Sequence, residues 1–96
     1  MTDKSMHELK ISPSNFSDVA SSRMSFQIRK DDRNYKIDDY IYLREYDEDD
    51  YTGKALPARI THLLSEAEGL QKGYVLLNIK VKGLIIHEGE RYDTSV

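Results

Sequence analysis

Phe26-Gln-Ile-Arg-Lys-Asp-Asp-Arg33, followed by Tyr35-Lys-Ile-Asp-Asp-Tyr-Ile-Tyr-Leu-Arg-Glu-Tyr46, is the stretch whose reading decides the fold of this 96-residue chain. Apolar and polar residues alternate through it, which is the period of a half-buried strand. Met24, Phe26 and Ile28 alternate with Ser25, Gln27 and Arg29. Asp31-Asp32-Arg33-Asn34 is turn chemistry, and Asp38-Asp39 makes a second turn. Tyr40–Tyr46 is rich in β-formers. The stretch therefore reads as a strand, a charged hairpin turn and another strand. It also sets Arg29, Lys30, Arg33 and Arg44 among aromatic rings, a mixture suited to holding nucleic acid.

Upstream, Met6–Ile11 alternates with His7, Leu9 and Ile11 on one face and Glu8 and Lys10 on the other. Ser12 suits a helix N-cap and Pro13 the first helical position, and Phe16, Val19 and Ala20 share a helix face over about residues 13–22. Downstream, a run of acids is expected to form a loop ending at Thr52-Gly53, where Gly can supply a positive φ. Ala55–Leu64 reads as a fourth strand, with Pro57 acceptable near its start or at an edge. Gly73–Val81 is the most apolar segment and is expected to be buried on both faces of a central strand. Leu84–His87 either extends it or adds a short sixth strand. One short helix after the first strand, with five to six strands in all, predicts a mainly β (α+β) fold: a small barrel plugged at one end by the helix. The domain is expected over residues 6–87, between an N-terminal tail at 1–5 and a flexible C-terminal tail at 88–96.

Composition narrows the function. The chain has no Cys, so thiolate zinc sites, disulfides and thiol nucleophiles are excluded. No apolar run is long enough to span a bilayer and no signal core precedes the first strand, so a cytoplasmic monomer is expected. The net charge of −3 argues against coating nucleic acid by bulk charge. That charge is uneven: Glu45, Asp47, Glu48, Asp49 and Asp50 crowd together, and a local basic face is left elsewhere. The scattered His7, His62 and His87 lack the spacing of metal ligands, and no cofactor motif is present.

Several pieces fall in the order and spacing of a known family: His7-Glu-Leu-Lys-Ile11, Phe26-x-Ile-Arg-Lys-x-Asp-Arg33, Asp39-x-Ile-x-Leu-Arg-Glu-Tyr-Asp47, Tyr51-Thr-Gly53 and Gly73-Tyr-Val-Leu-Leu-x-Ile-Lys80. Over residues 6–82 the chain resembles the small ASCH-type domains of the PUA-like superfamily, and more closely a compact bacterial and phage branch of unknown function. The resemblance implies a PUA-like β-barrel and RNA binding in a cleft beside the helix. Some relatives hydrolyse acylated pyrimidine nucleosides with a Lys after the helix and a hydroxyl residue three positions later. The matching positions here are Met24 and Gln27, which offer neither an amine nor a nucleophilic hydroxyl.

Arg29 is the foremost candidate, either a phosphate or base contact or an ion-pair partner of Glu8 or Glu45. Lys10 would join it if the first two strands lie close. Lys30, Arg33 and Tyr35 either track a phosphate backbone and stack a base or form a solvated hairpin neutralised by Asp31 and Asp32. Arg44 completes the RNA-binding set. Tyr40, Tyr42 and Tyr46 share a strand face and read as structural cover more readily than as a stacking platform. Three functions follow: an RNA- or nucleotide-binding module, an amidohydrolase acting on a modified nucleoside, or a phage or mobile-element accessory protein that binds another protein.

Overall fold

The computed structural model describes residues 6–66 and 68–86; the two expected tails and His87 lie outside them. Six strands and a helix follow one another as β1 (Met6–Ile11), α1 (Pro13–Ala20), β2 (Phe26–Lys30), β3 (Tyr40–Asp47), β4 (Asp50–Ser65), β5 (Tyr74–Val81) and β6 (Ile85–Ile86). The fold is mainly β, with its short helix after the first strand. The strands form a single curled sheet in the order β1-β3-β4-β5-β2, with β6 beside β4. β1 runs parallel to β3, Met6 opposite Tyr40, and the other pairs are antiparallel. Among the described residues no helix is long and apolar enough to cross a membrane.

The expected faces of β1 are observed: His7, Leu9 and Ile11 are buried, while Glu8 and Lys10 are exposed. The expected helix start is present as well. The Ser12 hydroxyl accepts from the Asn15 amide at 3.3 Å and Pro13 opens α1. Phe16 and Val19 bury the helix against a core built from Leu9, Ile41, Leu43, Leu56, Ile60, Val75, Leu77 and Ile79. Burial of side chains of this kind is worth about 1.5–3 kcal/mol each before entropy is counted.

Other expectations are corrected. The segment after β2 is no hairpin: β2 and β3 are not neighbours, and residues 31–39 cross from β2 at one end of the sheet path to β3, next to β1 at the other. The crossing is tied down where it passes the core, for the Asp38 amide donates to the Ile60 carbonyl and the Ile60 amide to the Asp39 carbonyl. The acidic run is no open loop either. Asp47 pairs with Asp50 and Tyr46 with Tyr51, so Glu48 and Asp49 form the tip of a β3–β4 hairpin. Gly53, at φ 100°, lies where the β3–β4 register slips, in the conformation expected for a glycine at that point.

β5 is central but half-buried, with Val75, Leu77 and Ile79 inward and Tyr74, Leu76 and Asn78 on the other face. Its outer face is therefore not a second core. Pro57 sits inside β4, neither at its start nor at an edge. It is tolerated because β4 changes partners there, from β6 at Ala55 to β5 at Ala58, so a missing amide costs no ladder bond. The Pro57 carbonyl instead accepts from the Lys82 amide at 2.7 Å.

Candidate nucleic-acid interface

β1 and β2 stand at opposite ends of the sheet path, and the curl brings them face to face across a seam. Side chains span that seam. The Arg29 guanidinium donates to the Lys10 carbonyl at 2.9 Å and to Gln27 Oε1 at 2.8 Å. Arg33 donates to the Glu8 carbonyl at 3.2 Å. Two guanidinium groups of one strand and its exit thus cap two carbonyls of the other, an arrangement that also protects exposed strand edges.

Arg29 reaches the seam because β2 is turned against its apolar pattern. Gln27 is buried and Arg29 half-buried, whereas Phe26 and Ile28 are exposed. Arg29 does point away from Phe26 and Ile28, as alternation requires. Neither of its expected acidic partners takes it: Glu8 pairs with Arg44 at 2.8 Å, and buried Glu45 accepts from the Thr52 hydroxyl at 2.7 Å. Burial holds the Arg29 guanidinium below its ordinary range, and the nearby Arg33 pushes the same way.

A groove of 380 Å³ opens between the start of α1 and β2. Lys10 and Arg29 both line it, with Ser12, Asn15, Met24 and Phe26. Met24 and Gln27, the two positions that the hydrolytic resemblance singles out, both face this groove, with the Gln27 amide 3.8 Å from the Met24 sulfur. On the other side of Arg29 lies a second cavity of 430 Å³, lined by Glu8, Lys10, Arg29, Arg33 and Tyr51. A smaller hollow of 160 Å³ brings in Lys30 and Asp32.

The outer face of β1, β3 and β4 adds a layer of cations on rings. The Lys10 ammonium lies 4.3 Å from the centre of the Tyr46 ring, and the Arg44 guanidinium 3.8 Å from that of Tyr51. Tyr46 and Tyr51 meet edge to face at 5.0 Å. Such contacts fix ring orientation and contribute about 0.5–1 kcal/mol each when exposed.

Lys10, Arg29, Arg33 and Arg44 therefore gather around the seam, while Lys30 lies at its margin, exposed. Tyr35 does not join them as a stacking ring. It is 6% exposed, its ring 4.7 Å from that of His7. The apolar pull of the core overrides the polar neighbours that made it look like a surface residue. His7 itself is buried against Asp39 at 2.8 Å, and Asp39 also accepts from the Lys36 amide. This pair was missed, although a His on the apolar face of β1 requires a polar partner inside. Tyr51 is not legible as a ring of the interface from sequence, because the acids beside it have the composition of a loop. Among the described residues, no group of three or more His, Asp or Glu is set to hold a metal ion.

A family described as "Domain of unknown function (DUF3850)" matches residues 6–79. An uncharacterized 12.9 kDa protein in the GpA 3′ region of Escherichia phage P2 is 34% identical over 73 residues, covering 76% of this chain and 66% of the relative. The chain thus spans slightly less than two thirds of that phage protein's length.

Proposed function

The chain belongs to the DUF3850 family, and for this member we propose a binding function: the groove beside α1 holds single-stranded RNA, or a nucleotide-sized part of it. The supporting observation is that Lys10 and Arg29, 19 residues apart and on strands that are not paired, line one groove. A half-buried guanidinium beside an ammonium suits a phosphate, because the planar fork fixes orientation and the point charge adds attraction from any direction. Arg33 and Arg44 lie close enough to assist along a longer chain. The curled sheet with a helix after its first strand is also what kinship with ASCH-type, PUA-like domains implies, and we include that kinship in the reading.

Binding is favoured over hydrolysis of an acylated nucleoside, because Met24 and Gln27 bring a thioether and a carboxamide to the groove. The reading takes the protein to act as a monomer in the cytoplasm. Fluorescence anisotropy with labelled RNA oligomers tests it. Affinity should fall with rising salt, with a slope of roughly −0.7 per phosphate engaged. Lys10→Ala should weaken binding several-fold without loss of fold. No binding at low salt across oligomers of varied sequence overturns the reading; a protein partner recovered without nucleic acid would then take its place.

A further inference from the structure

Resting on the RNA reading, we infer that the site is built for a dinucleotide step rather than a single nucleotide, its linking phosphate held at Lys10 and Arg29 and one base lodged on each side. Two cavities, of 380 and 430 Å³, share Lys10 and Arg29. The cations are therefore a divide between two compartments, and each compartment has its own ring.

In the groove beside α1 the ring is Phe26, flanked by Met24 and Ile28. Phe26 and Ile28 are 40% and 51% exposed on a strand whose inward positions are Gln27 and Arg29. This inversion gives the core nothing, since the polar pair faces inward. Its product is an apolar wall beside two cations, which is how sites for flat, charged ligands are lined. In the second compartment the ring is Tyr51, held by Arg44 at 3.8 Å and by the edge of Tyr46. Arg33 lines that compartment too and can meet the next phosphate along the strand. A mononucleotide fills one compartment and leaves the other ring without a base. A dinucleotide step uses both rings and places its negative charge on the divide.

Isothermal titration of the full chain with adenosine monophosphate, the 5′-phosphorylated adenylate dimer and a longer oligoadenylate tests this. The dimer should bind at least about ten-fold tighter than the monomer, as expected for one added stacking contact. Phe26→Ala and Tyr51→Ala should each remove most of that gain while circular dichroism shows the fold intact. The ratio of dimer to monomer on the unaltered protein needs no variant, so a misfolded mutant cannot decide the matter. If the oligomer binds but the dimer is no tighter than the monomer, or neither variant lowers the gain, the two-compartment site is overturned while RNA binding stands. If no RNA binds, both fall.

Discussion

Arg29 has two demands on one guanidinium: it holds the Lys10 carbonyl and Gln27 across the seam, and it faces the cavities where an anion is proposed to sit. The two roles separate by substitution. Arg29→Lys keeps the charge but loses the planar fork, so chemical denaturation should show a loss of about 1–2 kcal/mol, close to that of Arg29→Ala. RNA affinity should instead fall much less in the Lys variant. Equal losses of affinity would show that the fork, not the charge, holds the ligand. Tyr35 yields a prediction of a different kind. Burial raises its phenol above the ordinary value, with Arg33 and Arg29 opposing and Asp32 and Asp31 reinforcing. The folded form thus keeps a proton that the unfolded chain releases near pH 10. Its stabilising contribution is complete below that pH and is lost as the pH rises through the raised folded value. Denaturation midpoints measured from pH 8 to 11 should fall less steeply in Tyr35→Phe. At this scale the sequence was informative about side-chain chemistry and poor about depth. Gln27 inward and Phe26 outward contradict hydropathy, and no pattern within one strand reveals an inversion set by the seam.

The β3–β4 hairpin turns through Glu48 at φ 60°, a conformation that a residue with a Cβ adopts at a cost. Four consecutive acids, Asp47 to Asp50, add mutual repulsion. Glu48→Gly should therefore stabilise the protein by roughly 0.5–1 kcal/mol, seen as a higher melting temperature, with the gain shrinking as salt screens the charges. If the melting temperature falls instead, contacts of the Glu48 side chain hold the tip. Elements were largely legible from periodicity and caps: β1, α1 and β3 begin or end where alternation, Ser12-Pro13 and the run of tyrosines indicate. Pairing was less so. Proximity in sequence suggested that β2 and β3 form a hairpin, yet the buried Tyr35 and Asp39 mark the intervening segment as a crossing. Pro57 also misled, because its tolerance depends on β4 exchanging one neighbour for another, a property of three strands together.

The whole sheet is closed along one line by guanidinium groups rather than by a backbone ladder, and its stability should be graded accordingly. Hydrogen exchange should be slowest in the central strands β4 and β5 and faster in β1 and β2, whose outer edges face the seam. Uniform protection would mean that the barrel opens as one unit. The acidic hairpin tip follows directly on Tyr46 and Tyr51, the rings that carry Lys10 and Arg44, so a protein of net charge −3 holds two unlike patches side by side, which overall charge conceals. The strand order also governs how the molecule can be made. β1 must wait for β3, and β2, although early in the chain, has no partner until β5. On a ribosome, the fragment ending before Tyr74 holds β2 as an orphan with its edge unpaired and Leu43, Leu56 and Ile60 without the inward face of β5. Productive folding is thus withheld until nearly the last of the described strands has emerged, and the interval before then is when a nascent chain of this kind most needs a chaperone.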